Sequence, residues 1–112
     1  MTGVRLNRQL VLEEAARVPD GSGGWLESWT TLGALWADIR ARSGRDTAGQ
    51  AGQHALGSYR IIVRAAPAGA PSRPRAGQRF RYGTRIFAIT AVTENDAEAR
   101  YLTCFAQEEV AT

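Results

Sequence analysis

The chain has 112 residues, enough for one domain with a modest hydrophobic core and too few for a second domain. All fourteen basic residues are arginine, and the formal net charge of +3 favours a solvated, mildly basic surface over a dedicated nucleic-acid site. A single cysteine, Cys104, excludes an internal disulfide, and no apolar run is typical of a membrane span or a secretory signal.

The N-terminal part is predicted to hold three strands. Residues 5–15 carry leucine at positions 6, 10 and 12, which fits a strand except at Arg8. A helix stays open as an alternative because Leu6 and Leu10 are also four residues apart. The Gly-rich stretch 19–24 predicts a turn, so residues 5–15 and 25–32 are expected to form a long hairpin. Residues 35–42 alternate between a small apolar face and a charged face, which predicts the third strand.

Residues 43–57 predict a long flexible loop. They contain four glycines and show no apolar face. A loop of this length inside a small domain is usually functional or disordered.

The second half is predicted to hold four more strands, because alternation between apolar and polar residues recurs there. These strands are residues 59–64, 78–82, 85–92 and 100–105. Gly83-Thr84 fits a two-residue hairpin turn with Gly at its first central position. The proline-containing residues 65–77 are expected to be irregular.

Together these elements predict an all-β fold, a small antiparallel barrel or sandwich of about six to seven strands. Residues 1–112 would form this single domain. It would carry one long Gly-rich loop, residues 43–57, and end in a frayed tail, residues 106–112.

The residues that carry enzyme chemistry are few and scattered, so we predict no catalytic, cofactor or metal site. One histidine and one cysteine cannot supply a zinc pattern. His54 lies in the predicted loop without a local motif to hold it as a catalytic base. Paired carboxylates such as Glu13-Glu14 and Glu108-Glu109 are interpreted as turn, tail or surface charges.

Aromatic residues next to arginine leave a nucleic-acid role open. Trp25, Trp29 and Trp36 could stack on bases, but their strand spacing favours a place in the core or at an interface. The sequence of residues 79–82 could track phosphates and stack bases, although a solvated hairpin face explains the same alternation. The residues of this alternative face are Arg79, Phe80, Arg81 and Tyr82.

Several segments resemble one protein family in the order in which they occur. They are Leu35-Trp36-Ala37-Asp38-Ile39 followed by Gly44-Arg45, then Tyr59-Arg60-Ile61-Ile62-Val63-Arg64, Gly77-Gln78-Arg79-Phe80, Arg85-Ile86-Phe87-Ala88-Ile89 and Arg100-Tyr101-Leu102-Thr103-Cys104. From the first to the last, these segments span about two-thirds of the chain. In this order they resemble the head-tail joining proteins of tailed phages, the head-closure or stopper proteins, which also serve phage-like gene transfer particles.

The resemblance implies a non-enzymatic structural protein of a virion or phage-like particle, assembled in the bacterial cytoplasm. Its copies would form a homo-oligomeric ring, six-fold in the family, between the adaptor on the portal and the tail terminator or tail tube protein. The ring would close the channel that holds packaged double-stranded DNA and give the tail its attachment platform.

The long loop of the family projects toward that channel, and it maps to residues 43–57. Its DNA contacts would come from Arg45, Gln50, Gln53 and His54. Its hinges would be Gly44, Gly49, Gly52 and Gly57. The alternative function is a free-standing barrel that binds single-stranded nucleic acid through residues 79–82, and an enzyme ranks third.

Overall fold

The chain folds as one antiparallel sheet that closes on itself into an irregular barrel. The computed structural model describes residues 3–42 and 55–110. The strands in these residues are β1 (Arg8–Pro19), β2 (Trp25–Ala41), β3 (Ala55–Arg64), β4 (Arg79–Tyr82), β5 (Arg85–Glu94) and β6 (Tyr101–Glu109). Around the barrel they follow the order β1-β2-β3-β6-β5-β4, which confirms the predicted all-β class. None of the described residues belongs to a helix long and apolar enough to cross a membrane.

The core fills the inside of this barrel with alternate residues of each strand. Phe80 of β4 and Phe87 of β5 are its largest side chains and are completely buried. Since successive side chains of a strand point to opposite faces, one face of every strand supplies the core while the other faces outward. The other core members are Leu10, Leu12, Ala37, Ile61, Val63, Ile89, Leu102, Cys104 and Ala106.

β2 is a single long strand, so the prediction of two strands at 25–32 and 35–42 is wrong. Its register against β1 shifts at one point, where Leu12 pairs with Gly33 and Glu13 pairs with Thr31. Leu32 is therefore an extra residue, and the strand bulges there instead of ending. Gly33 has a φ of +152°, a conformation that favours glycine and is common at bulges.

β1 and β2 extend beyond the barrel as a two-stranded arm, residues 14–31. β4 pairs with β1 only from Val11 to Glu13, and β3 pairs with β2 only from Ala37 to Ala41. Within residues 3–42 and 55–110, the rest of the hairpin pairs only with itself, down to the turn that begins at Asp20. The predicted hairpin is thus confirmed and its helical alternative is wrong. The arm contributes to the longest dimension of the molecule, 51 Å.

The three tryptophans lie on the arm and its base, outside the core. Register places Trp25, Trp29 and Trp36 on the outward face of β2, opposite Pro19, Ala15 and Gln9. Trp25 is 60% exposed and Trp36 is 54% exposed. Trp29 lies under the guanidinium of Arg79, which is 4.0 Å from the ring centroid. The sequence favoured a place in the core or at an interface for these tryptophans. The core is therefore wrong, and the interface stays a prediction.

The C-terminal strands agree with those predicted from the sequence, except near the end of the chain. Tyr82 pairs with Arg85 across the predicted Gly83-Thr84 turn, and the φ of +62° at Gly83 suits the first central position of such a turn. β6 continues to Glu109, so residues 106–109 are not the frayed tail that was predicted. They pair with β5 and with the start of β3, which the alternation in residues 100–105 does not reveal.

The antiparallel order gives the barrel two different ends. At the connection end, β2, β4 and β6 finish while β1, β3 and β5 begin, and residues 43–54 join β2 to β3 there. At the opposite arm end, β1 and β2 continue into the arm. Residues 65–78 and 95–100 also connect strands at the arm end.

Glu13 sits where β1 leaves the barrel, and it binds two arginines of β4. Its carboxylate oxygens accept hydrogen bonds from Nε of Arg79, at 2.7 Å, and from Nε of Arg81, at 2.9 Å. Its residue surface is only 5% exposed. Burial acts to raise the pKa of Glu13, but the two arginines outweigh it and hold the pKa below its ordinary value. A buried carboxylate thus joins the arm to β4.

We expect Glu13→Gln to lower the free energy of unfolding by about 1–3 kcal/mol at neutral pH, because two charge-assisted hydrogen bonds lose their acceptor. Urea unfolding measures the change. Glu14→Gln is the matched control, since the neighbouring pair Glu14–Arg75 is exposed and such pairs contribute at most about 1 kcal/mol. Equal losses for the two variants would contradict this role of Glu13.

Candidate functional site at the connection end

Most of the predicted loop residues lie outside the described part of the chain. These are Gly44, Arg45, Gly49, Gln50, Gly52, Gln53 and His54. Their roles in DNA contact and hinge motion therefore stay predictions. Gly57, the remaining predicted hinge, lies in β3 with a φ of +155°. The register shifts beside it, since Ala55 pairs with Glu109 and Gly57 pairs with Glu108, so β3 begins with a bulge.

The two residues from which the 43–54 connection departs are held by the sheet. The N–H of Arg42 donates a hydrogen bond of 2.9 Å to the carbonyl of Ser58, just beyond the last β2–β3 pair. The guanidinium of Arg42 lies 5.5 Å from the ring centroid of Phe105 on β6. On the other side, Ala55 pairs with Glu109 of β6. Both roots of the connection are thus fixed to strands.

A polar cluster occupies the connection end inside the barrel. Arg85 of β5 donates from Nε to Glu108 of β6 at 2.8 Å, and from a terminal nitrogen to the same carboxylate at 3.1 Å. That terminal nitrogen also donates to the hydroxyl of Tyr59 at 3.2 Å. The ring of Tyr59 packs edge-on against Phe87, with centroids 5.1 Å apart. These four residues, Arg85, Glu108, Tyr59 and Phe87, form the end cluster.

The charges of Arg85 and Glu108 in the end cluster compensate each other. The hydrogen bonds from Arg85 lower the pKa of Glu108 and outweigh burial, which acts in the opposite direction. The same hydrogen bonds raise the pKa of Arg85. The guanidinium also lies 4.9 Å from the ring centroid of Phe87. Since both charges are paired, we interpret the cluster as a structural contact that joins β3, β5 and β6 at the connection end and not as an acid-base pair for catalysis.

The sequence analysis missed the burial of Glu13 and Glu108, which were interpreted as turn, tail or surface charges. Glu13 lies under two arginines of β4, and Glu108 lies under Arg85 of β5. A signal was present in the arginines at positions 79, 81 and 85, because an arginine on one strand can pair with a carboxylate on the neighbouring strand. The pairing that supplies those partners follows from barrel closure, which alternation alone does not give.

The alternative nucleic-acid face does not form an open surface. Phe80 is 0% exposed and lies in the core, so a base cannot stack on it in this fold. Arg79 and Arg81 hold Glu13. Tyr82 is covered in part by Arg8, whose guanidinium is 5.6 Å from its ring centroid. The stacking role considered for Phe80 is therefore wrong.

The described residues show no constellation for metal or thiol chemistry. No group of three or more His, Cys, Asp or Glu residues among them is placed to hold a metal ion. Cys104 is buried in the core, and burial raises the pKa of its thiol to about 12, so it stays protonated at neutral pH.

We expect Glu108→Gln to lower the free energy of unfolding by about 1–2 kcal/mol at neutral pH, through loss of charged hydrogen bonds to Arg85. Folding lowers the pKa of Glu108, so its ionised carboxylate contributes to the free energy of unfolding. This contribution is complete above the ordinary glutamate pKa of about 4.3, and it is lost as the pH falls through the lowered pKa. The stability difference between the natural chain and the variant should therefore shrink below about pH 4. Thermal unfolding across this pH range measures it.

The control for this pH series is Glu109→Gln, which changes the adjacent exposed carboxylate. It should leave the natural pH profile nearly unchanged. A difference between the natural chain and Glu108→Gln that persists at constant size to the lowest pH would contradict an ionised Glu108 in the end cluster.

Comparison with known proteins agrees with this architecture. The family model described as phage head completion protein matches residues 1–109. A chain of a solved structure described as the virion of a native gene transfer agent particle is 50% identical, and the match covers 96% of this chain and 98% of that chain with a TM-score of 0.73. None of the individually curated proteins matches.

A more distant structure shows the same fold. It is the solution structure of protein SF1141 from Shigella flexneri 2a, which is 23% identical, with a match that covers 96% of each chain and a TM-score of 0.68. The family match extends over nearly the whole chain and includes every described strand. The chain therefore belongs to the phage head completion protein family.

Proposed function

We propose that this chain is a structural connector of a tailed phage or gene transfer particle. Its copies form a ring, six in number, between the portal-bound adaptor and the tail terminator or tail tube protein. The ring closes the exit channel for packaged double-stranded DNA, offers the tail a platform and performs no catalysis. The observation that carries the proposal is the family match over residues 1–109, supported by 50% identity to a chain of a gene transfer agent particle.

In this proposal the connection end faces the channel. Arg45, Gln50, Gln53 and His54 would touch DNA phosphates there, while Gly44, Gly49, Gly52 and Gly57 would allow the 43–57 segment to bend. The end cluster supports this assignment because it fixes the barrel rim below the segment. A gate needs such a contrast between a firm base and a segment that can change conformation.

In this proposal the arm makes contacts between neighbouring copies. A two-stranded ribbon is only marginally stable by itself in water, and its outer edges present backbone groups without a third strand. Near the tip, Trp25 and Leu26 are 60% and 57% exposed. In a closed ring every copy can offer its arm to the next copy, so one contact repeated around the ring covers all of these surfaces.

The alternative function, binding of single-stranded nucleic acid by a free barrel, has less support. It relied on Phe80 as a stacking platform, and Phe80 lies in the core. The arginines beside it are engaged with Glu13.

A particle assay tests the connector function. Cells that lack the gene should produce heads without tails, and these heads should lose their DNA to added nuclease. A variant in which residues 45–54 are replaced by a short Gly-Ser link should attach tails but leave the packaged DNA sensitive to nuclease, because ring contacts persist while the gate is missing. Electron microscopy counts tails, and nuclease protection measures closure.

The control for this assay is the unaltered chain supplied from a plasmid, which should restore both tails and protection. Normal, tailed and protected particles in the deletion strain would contradict the connector function. Full protection with the shortened link would contradict the gating role alone.

We expect Trp25→Ser combined with Leu26→Ser to remove the chain from the connector, because the apolar contact of the arm tip is lost. The variant should remain folded, since neither side chain belongs to the core. Native mass spectrometry of the connector fraction measures the number of copies, and thermal unfolding checks the fold. Val110→Ser, which alters an exposed apolar residue of another region, is the control and should assemble normally.

A further inference from the structure

Residues on the outward side of three neighbouring strands form a basic face whose middle, at Asp38, Ile62 and Thr103, is buried. The register places Arg40 of β2 opposite Arg60 of β3, and Arg60 opposite Phe105 of β6. Two residues further along β3, Ile62 lies between Asp38 and Thr103, and beyond it Arg64 lies opposite Tyr101. We call this surface the arginine face. It consists of Asp38, Arg40, Arg42, Arg60, Ile62, Arg64, Tyr101, Thr103 and Phe105.

The arginine face has a local excess of positive charge. It carries four guanidinium groups and one carboxylate, Asp38, so its net charge is +3. Arg40 is paired with that carboxylate at 2.9 Å. The composition alone does not reveal this local excess, which attracts anionic partners.

Two of these arginines are free to meet a partner. Arg60 and Arg64 are both exposed, and in residues 3–42 and 55–110 neither has a carboxylate within ion-pair distance. Arg64 rests on the ring of Tyr101, 5.7 Å from its centroid. This differs from Arg79, Arg81 and Arg85, whose guanidinium groups are engaged with buried carboxylates.

The arginine face also borders the connection end. Arg42 is the last described residue before the 43–54 connection, and Arg60 lies five residues beyond its far root at Ala55. The face therefore extends from the connection end, at Arg42, to the arm end, at Arg64. Guanidinium groups bind phosphates well, and contacts to the backbone alone allow the partner to slide because they read no sequence.

We propose that the arginine face contacts the phosphate backbone of double-stranded DNA, with Arg60 and Arg64 as the principal contacts. The inference rests on the proposed connector function and adds a second DNA contact, made by the barrel wall between the connection end and the arm end. The sheet register holds this wall in place.

Binding of a short fluorescent duplex to the purified chain tests this inference. Anisotropy titrations between about 50 and 200 mM salt give the dependence of affinity on salt. Arg60→Gln with Arg64→Gln should weaken binding and reduce the slope of log K against log salt by about 1.8, since each lost phosphate contact removes about 0.9. Arg17→Gln with Arg75→Gln removes the same charge from the arm and the 65–78 connection, and it should leave the slope unchanged.

Three results would overturn the inference. One is an equal change of slope in both double variants, which would show a general charge effect. The second is no measurable binding by the unaltered chain at the lowest salt. The third is an unchanged slope together with loss of Arg60→Gln, Arg64→Gln from the connector in native mass spectrometry, which would assign the face to an acidic protein surface.

A failure of this inference is distinguishable from a failure of the connector function. The particle assay on the deletion strain depends on assembly and closure, and it gives its answer whether or not Arg60 and Arg64 touch DNA.

Discussion

The ion pairs between Glu13 and two arginines of β4 attach the base of the arm to the barrel. Glu13 is the last residue of β1 that pairs with β4, and it also borders the bulge in the β1–β2 register. Beyond this point none of the other described strands pairs with the hairpin. Arg79 joins the two parts further, because it binds Glu13 and covers Trp29 on the arm. The direction in which the arm leaves the barrel therefore depends on this buried, charged contact.

The sequence predicted the pleated segments well because alternation is a local property. It predicted the Gly83-Thr84 turn and the long first hairpin for the same reason. The predicted strands 25–32 and 35–42 left a gap at Gly33, because a glycine between two apolar stretches resembles a break. In the structure Gly33 lies at a bulge within one continuous strand. It also ended β6 too early, because residues 106–109 become ordered through pairing with distant strands.

The candidate site was less predictable, because its properties arise from strands that are far apart in sequence. Glu108 looks like a tail charge until barrel closure brings Arg85 beside it. Phe80 looks like a stacking residue until its strand turns that face inward. The arginine face combines residues near 40, 60 and 103, whose proximity follows only from the order β2-β3-β6. The channel role that the resemblance assigns to residues 43–57 stays a prediction, and residues 43–54 of that segment lie outside the described part of the chain.

The two ends of the molecule present different surfaces. The arm end presents exposed tryptophan and leucine, the connection end presents the end cluster, and the arginine face extends between them. This division gives the account its central claim, that the connection end of every copy faces the DNA passage. Electron cryomicroscopy of the head-tail junction in DNA-filled particles tests it most directly. The account predicts a ring whose inner surface is formed by the connection ends, with density for residues 43–54 next to DNA. A ring with those ends on its outer circumference would contradict it.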